Sequence, residues 1–230
     1  SDSQNVTEIK AEGRFLIPGL MDSHLHISVA PGLGFGNYGL VEKYPELVKA
    51  YHKQLPRSLL YYGITQFLDT AVFSNLIESF RQQPLQPDSF FCMPAPRQNG
   101  YPSLFVSSEQ RNKLFPYFIQ EVSDIEDGSD IDPTQHTPEA IVQRIKQTGA
   151  DCIKLFFEDG WNNKSGWPIL SGDSILRAKR EAHKLGMKVV AHANALDMQQ
   201  IAVKLEVDVI AHGLWNWNRN RSEKGLPDAI

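Results

Sequence analysis

The feature that most constrains the fold is an alternation of short apolar runs with segments of helical periodicity along the chain. Two of the runs, VVAH and VDVIAH, are apolar almost without interruption, which is typical of strands buried on both faces of a parallel sheet. Parallel strands need helical crossovers between them, and helical patterns do separate these runs. The alternation predicts an α/β fold with six strands: Phe15–His24, Ile64–Leu68, Phe90–Pro94, Asp151–Phe157, Lys188–His192 and Val207–His212.

Helix start and stop signals lie between the predicted strands. Thr137, Pro138 and Glu139 combine an N-cap residue, a first-turn proline and an acid at the positive end of the helix dipole. Pro45 begins an earlier helix, in which Pro56 is expected to cause a kink or a break. The predicted helices are 45–62, Ser74–Arg81, 137–148, Asp173–Gly186 and Asp197–Glu206.

Residues with metal-binding side chains stand at the carboxyl ends of the predicted strands. His24 and His26 are two residues apart, so both imidazoles project from one face of the first strand in a chelating arrangement. His192 and His212 end the fifth and sixth strands, and Lys154 lies in the fourth. Taken singly, each has an ordinary structural explanation, such as a hydrogen-bonded core histidine or a lysine paired with an acid. Together they have no common structural explanation, and they predict a metal site.

Two folds fit the alternation: a doubly wound open sheet and a barrel of β/α units. In an open sheet the strand ends that carry these residues would lie far apart. A closed barrel directs the carboxyl ends of all its strands toward one axis. The positions of the histidines and of Lys154 therefore favour the barrel.

Two other segments resemble ligand-binding motifs without fulfilling them. The glycine-rich segment 27–40 contains GxGxG, but it does not lie immediately between a strand and a helix, so a mobile loop or substrate lid is favoured over a phosphate site. The acidic run SDIEDGSDIDPTQ lacks the spacing and the terminal glutamate of an EF-hand, so a solvated surface is favoured. This run belongs to a long insertion at about 95–136, which we expect to be a functional or disordered loop.

Composition excludes several classes of function. The chain has 230 residues and a net charge of −4, and its Lys and Arg residues are scattered, which argues against a nucleic-acid-binding surface. No apolar stretch approaches the roughly 20 residues that span a bilayer, and the polar N-terminus lacks the regions of a signal peptide. We expect a soluble protein with a small-molecule substrate; the cytoplasm is slightly favoured, and a homo-oligomer is left open. Cys92 and Cys152 lie in apolar runs and are interpreted as buried thiols rather than as a disulfide.

The motifs PGLMDSHLH, IKLF, VVAHAN and VIAHG resemble those of the amidohydrolase superfamily, and the resemblance covers roughly residues 15–213. The branch concerned contains imidazolonepropionase-related hydrolases and metal-dependent Xaa-Pro dipeptidases. The resemblance implies a binuclear metal centre. The implied ligands are His24 and His26 for the more buried metal, a carbamylated and bridging Lys154, and His192 and His212 for the second metal.

The resemblance also implies a fold. The family has a (β/α)8 TIM-type barrel, of which about six β/α units are recognisable in residues 15–230, and residues 1–14 would be the remnant of a β-sandwich segment. In the family an aspartate at the end of strand eight binds metal and shuttles a proton, and Asp228 lies too early in the chain to be that residue. We therefore expect part of a longer protein, with four or five metal ligands and no general base.

The implied site suits a hydrolytic reaction. Neutral imidazole suits Zn²⁺, and a lysine carbamate would supply two oxygens to a buried metal pair. One or two divalent metals would then activate a water to cleave an amide-type C–N bond in an N-acyl amino acid, a dipeptide or a related small molecule. Two alternatives stay open. One is a single-metal hydrolase or deaminase of a cyclic amidine or lactam with an uncarbamylated Lys154, and the other is a catalytically incomplete metal-binding protein.

Candidate substrate-binding residues follow the predicted strands, where specificity would reside. Arg97 beyond strand three, or Arg219 or Arg221 beyond strand six, would hold a substrate carboxylate by a two-pronged contact. Aromatic residues would line the barrel mouth, with ordinary packing among loops as an equal alternative. They are Phe35, Tyr38, Trp161, Trp167, Trp215 and Trp217.

Overall fold

The computed structural model describes residues 7–31, 38–125, 130–160 and 166–215. Within them, one sheet of six strands has all its strands parallel and in chain order. A doubly wound sheet reverses its strand order at a switch point, and this sheet does not. The strands are β1 (Leu20–Leu25), β2 (Ile64–Asp69), β3 (Asp88–Pro94), β4 (Cys152–Phe156), β5 (Lys188–His192) and β6 (Val209–Ile210).

Helices alternate with these strands, as the sequence patterns predict. Three short 3₁₀ helices lie in or beside the insertion, at Ser103–Phe105, Val122–Asp124 and Pro133–His136. None of the helices in the described residues is both long enough and apolar enough to cross a membrane. The α-helices are α1 (Tyr38–Lys43), α2 (Pro45–Tyr61), α3 (Ser74–Arg81), α4 (Ser108–Leu114), α5 (Pro138–Gln147), α6 (Gly172–Lys184) and α7 (Leu196–Lys204).

The sheet curls until the carboxyl ends of β1 and β6 meet, although these two strands are not hydrogen-bonded neighbours. His24 Nδ1 lies 2.5 Å from the carbonyl oxygen of Ala211, and the His24 and His212 rings are stacked with their centroids 5.4 Å apart. In a flat sheet, five strand spacings would separate β1 from β6 by about 24 Å. The predicted barrel is therefore confirmed over the open sheet: the described part is a curled half-barrel.

Residues of β4 alternate between two apolar layers on opposite faces of the sheet. Ile153 packs outward into the main core, where Ile141 and Ile145 of α5 are also fully buried. This helix begins as predicted, because the Thr137 side chain accepts a hydrogen bond from the Ala140 N–H at 3.2 Å. Cys152 belongs to a smaller inner cluster on the concave face. By the period-two rule Lys154 shares that face, so it lies inside the half-barrel.

The first and last strands are shorter than predicted. Phe15 and Leu16 were assigned to the first strand, but they are 96% and 100% exposed and precede β1. The chain packs closely at Gly19, since a Cβ there would lie 2.0 Å from Thr65 Oγ1. At the other edge, β6 pairs with β5 over only two residues, so His212 follows the strand instead of ending it.

Pro56 does not break α2, so the break that the sequence allowed does not occur. The helix runs continuously from Pro45 to Tyr61 with Pro56 buried inside it. Leu55 and Leu59 on either side of the proline pack against the main core. We infer that this packing outweighs the loss of one backbone hydrogen bond, because tertiary contacts hold both halves of the helix.

Cys92 and Cys152 form a disulfide, so their interpretation as two separate buried thiols is wrong. Both residues are buried as expected, with exposures of 0% and 4%. The reason for the bond is strand register: β3 and β4 are neighbours, and Cys92 is the direct partner of Cys152, with the Cα atoms 4.3 Å apart. A separation of 60 residues along the chain hides this pairing from sequence patterns.

The described part of the insertion is packed onto the half-barrel. Its acidic run was predicted to be a solvated surface, and this is wrong for Asp124, which is 7% exposed and bound to the Arg97 guanidinium. Asp132 instead caps the third 3₁₀ helix by accepting a hydrogen bond from the Thr134 N–H at 2.9 Å. Asp127 lies outside the described residues. Asp130 and Asp132 are exposed, as predicted, so the run is solvated there and fixes the insertion through Asp124.

Candidate metal centre

All five predicted metal ligands lie at the carboxyl end or on the inner face of the curled sheet. His24 is in β1 and His26 immediately follows it, while His192 is the last residue of β5. His212 comes two residues after β6. Lys154 is the middle residue of β4 and is 2% exposed. The curl of the sheet brings these positions from opposite edges toward one another.

His24 and His26 form what we call the first histidine pair. Their Nε2 atoms face each other at 3.3 Å, and their rings are perpendicular. The backbone carbonyl of Ala211 can only accept, so His24 Nδ1 must donate to it, which leaves the His24 Nε2 lone pair free to bind a ligand. Two imidazole nitrogens on one tetrahedral Zn²⁺ would be about 3.3–3.4 Å apart, given bonds of about 2.0–2.1 Å. The measured separation fits that value.

Asp69, at the end of β2, orients the other member of this pair. Its carboxylate lies 3.4 Å from His26 Nδ1 and accepts hydrogen bonds from the N–H groups of Ile27 at 2.7 Å and Ala71 at 2.9 Å. The carboxylate is fully buried, so these backbone donors hold it in place. Asp69 is therefore in position to keep the proton of His26 on Nδ1 and its lone pair on Nε2.

His192 and His212 form the second histidine pair. His212 Nε2 lies 2.9 Å from His192 Nδ1, with the rings nearly perpendicular. The other nitrogen of His192, Nε2, lies 3.3 Å from the Glu158 carboxylate and 3.1 Å from the side-chain nitrogen of Asn194. A carboxylate beside Nε2 favours a proton on that atom, which leaves Nδ1 as the nitrogen that can bind a metal. The Asn194 side-chain oxygen has no hydrogen-bond partner within the described residues, so rotation of the amide would suit a protonated Nε2.

Burial keeps three of the four imidazoles neutral at physiological pH. Burial, with a smaller contribution from the Lys154 charge, lowers the pKa of His192 to about 3. Burial and the neighbouring His192 and Lys154 charges lower the pKa of His212 to about 3 as well. Burial also lowers the pKa of His24, although its hydrogen bond to Ala211 opposes the change. Neutral imidazole is the form that binds a metal ion.

Lys154 is the most unusual titratable residue in the site. It is buried, and within the described residues its Nζ forms neither a hydrogen bond nor an ion pair. Burial lowers its pKa from 10.5 to about 7, with the Asp69 carboxylate opposing the change. Its side chain is neither exposed nor in an ion pair with an acid of the described residues, so the ordinary structural explanation of a lysine paired with an acid does not apply. A buried amine without a partner is costly, so this position calls for a further group to neutralise it.

The donor set fits a divalent cation, but as two pairs rather than as one complete cage. Within the described residues, no three His, Cys, Asp or Glu side chains are arranged so that together they could hold one metal ion. Each pair supplies two imidazole nitrogens, and the His24 ring is stacked on the His212 ring, so the pairs adjoin. Any further ligand to either pair must therefore come from Lys154 or from a group outside these side chains.

Comparison with known protein sequences shows the family of this chain. Residues 15–213 match the sequence profile of the Amidohydrolase family, and this range includes all five predicted ligands. The chain belongs to the amidohydrolase family. No curated protein sequence matches the chain significantly.

Solved structures extend the amidohydrolase comparison to the fold. A prolidase in complex with N-methylphosphonate-L-proline is 20% identical with a TM-score of 0.63, covering 90% of this chain and 50% of its own. Molinate hydrolase is 16% identical with a TM-score of 0.64, covering 90% and 48%. A Xaa-Pro dipeptidase with bound methionine is 18% identical with a TM-score of 0.54, covering 84% and 47%. This chain thus spans about half the length of the solved structures that it matches, and the likeness concerns the fold.

Three polar residues of the candidate site were missed by the sequence analysis. Asp69, Glu158 and Asn194 are buried around the histidines. Asp69 ends β2, and the other two follow β4 and β5 by two residues each. These residues stand at the ends of apolar strands, as the histidines do, so the sequence contains the same signal for them. The prediction of the metal site considered only His and Lys.

The candidate substrate-binding residues lie in different places, and Trp167 packs beside Tyr101 with the ring centroids 6.0 Å apart. Trp215 lies at the site, with its ring stacked on His212 at 5.3 Å. Arg97 is not brought to the histidines by any described contact: its guanidinium donates to Asp124 at 2.6 and 2.8 Å and to the Ile169 carbonyl at 2.7 Å. Tyr38 begins α1. Outside the described residues lie Phe35, Trp161, Trp217, Arg219 and Arg221.

Proposed function

We propose that this chain functions as a metal-dependent hydrolase that cleaves an amide-type C–N bond in a small molecule, such as an N-acyl amino acid or a dipeptide. The observation that carries the proposal is the meeting of two histidine pairs at the end of a curled parallel sheet whose inner face holds a buried lysine. Membership of the amidohydrolase family supports the reaction class. The prolidase and dipeptidase among the similar folds make peptide-like amides the first substrates to try.

The two histidine pairs are the proposed metal ligands. The first pair would hold one ion through Nε2 of His24 and of His26, and the second pair would hold another through His192 Nδ1 and His212 Nε2. Zn²⁺ suits such nitrogen donors. When bound, the metal lowers the pKa of a water molecule and polarises the scissile carbonyl.

Lys154 would connect the two pairs as a carbamate. With a pKa of about 7, a large fraction of the buried amine is neutral at physiological pH. The neutral amine can attack CO₂, forming an N–C bond and releasing one proton to solvent. The product carries a negative charge and two oxygens in place of an ammonium that has no partner. This change would remove the cost of the buried charge and supply the ligands that each histidine pair lacks.

The remaining buried groups would hold the ligands in position. Asp69 and the Ala211 carbonyl fix the outer nitrogens of the first pair, and Glu158 lies against the outer nitrogen of the second. Such contacts keep each imidazole in one tautomer and one orientation. The chain therefore needs little rearrangement to receive a metal ion.

The test combines metal analysis with a substrate panel. The purified chain, reconstituted with Zn²⁺ and bicarbonate, should hydrolyse at least one member of a panel of N-acyl amino acids and dipeptides, and a chelator should abolish the activity reversibly. His183→Ala is a suitable control, because His183 is paired with Asp208 on the surface. Metal binding without turnover across the panel would contradict the hydrolase proposal and favour a metal-binding protein.

Metal counting distinguishes the single-metal alternative. Two equivalents of Zn²⁺ with loading that depends on CO₂ would support a carbamylated Lys154. One equivalent, with loading indifferent to CO₂, would instead support a hydrolase or deaminase of a cyclic amidine or lactam in which Lys154 stays an amine.

A further inference from the structure

An aromatic surface extends from the second histidine pair to the exterior. The Tyr101 ring is stacked on His192 with centroids 4.8 Å apart, and it is almost parallel to the Trp167 ring at 6.0 Å. Phe105 meets Trp167 edge to face at 5.2 Å and is itself 61% exposed. We call Tyr101, Phe105 and Trp167 the aromatic rim. It begins in contact with a candidate metal ligand and ends in solvent.

The aromatic rim is held rigidly by two segments distant in the chain. Tyr101 and Phe105 come from the insertion, whereas Trp167 follows β4. The two backbones touch, since a Cβ added at Gly100 would lie 2.5 Å from the Pro168 carbonyl oxygen. On the other segment, the Trp167 N–H donates to the Asp159 carbonyl at 2.8 Å. Rings held in this way lose little conformational freedom when a ligand binds.

The turn that carries Tyr101 is closed by Ser103. Its side-chain hydroxyl is fully buried and lies within hydrogen-bond distance of the carbonyl oxygens of Arg97, Gln98 and Gly100, at 2.7–2.9 Å. These contacts tie the turn to the start of the insertion. The position of the rim is therefore built into the fold and does not depend on a ligand.

Arg97 was predicted to bind a substrate carboxylate, but its guanidinium is bound to other groups of the chain. Arg97 follows β3, but its guanidinium is bound by the buried Asp124 carboxylate and by the Ile169 carbonyl. The rim thus presents flat aromatic faces and edges, without this arginine, to a molecule held at the second histidine pair. Flat rings prefer offset-stacked or edge-to-face contacts with other aromatic groups.

We propose that the aromatic rim is a binding subsite for a planar aromatic group of the substrate, positioned beside the amide bond that is cleaved. The proposal rests on the proposed hydrolase function only in calling the ligand a substrate. The subsite itself is formed by the three rings. Phe105, the exposed end of the rim, supplies the first contact, and Trp167 supplies the second. The rim is continuous with the candidate active site, and exposed apolar surface in such a place is typical of ligand-binding grooves.

The experiment compares two uncharged amides of similar size that differ in aromaticity. Benzamide and cyclohexanecarboxamide are titrated into the full chain, and their dissociation constants are measured by ligand-observed NMR. The aromatic probe should bind about three- to tenfold more tightly, which is the range expected for one or two aromatic contacts beyond burial alone. Neither probe needs to be hydrolysed, so the result does not depend on turnover.

Variants localise the preference to the rim. Phe105→Leu and Trp167→Leu should each reduce the ratio of the two dissociation constants toward one, and Phe105→Tyr should retain it. Tyr62→Leu is the matched control, because Tyr61 and Tyr62 form an edge-to-face pair at 5.2 Å on the exposed end of α2, the same geometry as Phe105 and Trp167. Circular dichroism checks that each variant is folded.

Two results would overturn the subsite. The first is equal binding of the two amides by the wild-type chain. The second is a loss of preference in Tyr62→Leu as large as that in Phe105→Leu, which would reflect unspecific binding to exposed rings. If the preference holds while every amide in the hydrolysis panel remains uncleaved, the hydrolase proposal fails and the aromatic subsite stands.

Discussion

The two histidine pairs are built in different ways. His24 and His26 come from a single strand, and their spacing of two residues brings them to the same face. His192 and His212 come from two strands and meet only because β5 and β6 are neighbours. The first pair borders a sheet edge whose strand is half exposed, with Met21 at 53%, whereas His192 is 8% exposed. The first pair is thus formed by a local sequence motif, whereas the second pair is formed only by the tertiary structure.

The groups that hold the two histidine pairs in position also differ. The first is held by a backbone carbonyl and by Asp69, which is itself fixed by two backbone N–H groups. The second is held by the Glu158 carboxylate and covered by the rings of Tyr101 and Trp215. We infer that the first pair is the more rigid chelate and that the second is the one whose surroundings select a substrate.

Removing one histidine from each pair should give the largest effects. We expect His24→Ala to abolish tight metal binding, because the rigid chelate loses one of its two nitrogens, and His212→Ala to lose one ion while retaining the other. The measurement is metal content by mass spectrometry after dialysis, with His183→Ala as the control. An unchanged metal content in His24→Ala would refute the assignment of the first pair.

Lys154→Ala tests whether the two pairs are connected. We expect loss of the second ion, because the shared ligand is gone, and partial recovery when formate or acetate is added as a substitute for the carbamate. Metal content is compared with and without the added acid. Full metal loading of Lys154→Ala would mean that this lysine has a structural role alone.

Asp69→Asn and Glu158→Gln test the carboxylates that hold the two histidine pairs in position. Each variant keeps the size of the side chain but weakens its hold on a histidine, so each should lower metal affinity by about 10- to 100-fold. Asp69→Asn should act on the first ion and Glu158→Gln on the second, as measured by competition with a chromogenic chelator.

Asp151→Asn is the matched control for both variants. Asp151 also accepts a backbone hydrogen bond, from Phe91 N–H at 2.9 Å, but it does not contact the described histidines. A loss of affinity in Asp151→Asn equal to that in the other two variants would show that general destabilisation is responsible and would contradict the roles given to Asp69 and Glu158.

The last expected effect is a pH dependence of stability that originates at Lys154. Its pKa is about 7 in the folded chain and 10.5 in the unfolded chain, so between these values the unfolded state binds more protons. The free energy of unfolding of the metal-free chain, kept without CO₂, should therefore rise with pH from about 7 to about 10.5. Urea titrations of the wild type and of Lys154→Met measure it, and the variant should lack this contribution. An identical slope in both proteins would contradict the burial of a titrating amine.

The candidate site was predictable where it depends on strand ends. His24, His26, Lys154, His192 and His212 each follow or lie within an apolar run, and a run of this kind is visible in the sequence. Asp69, Glu158 and Asn194 stand at equivalent positions, but acids and amides are common in loops, so position alone did not single them out. Tyr101 had no signal at all, because it reaches His192 through the packing of the insertion.

Three features of the structure differ from the sequence predictions, and each depends on contact between residues far apart in the chain. Cys92 and Cys152 are bonded because β3 and β4 are adjacent in register, and Arg97 is bound to Asp124 across the insertion. Pro56 is tolerated because the residues on either side of it are held by the core. Periodicity and residue preference describe a segment of the chain, and none of these three outcomes is decided within one segment.

The sequence by itself determined the alternation of strands and helices, the barrel-type fold and the residues that end each strand, because these follow from local periodicity and from the geometry of parallel strands. Tertiary structure alone decided how the sheet curls, which places His24 against Ala211, 187 residues away in the chain. That curl decides which side chains meet, which nitrogens face each other and how deeply Lys154 is buried. Its physical origin is the packing of the whole sheet against its helices, and no short stretch of sequence contains it.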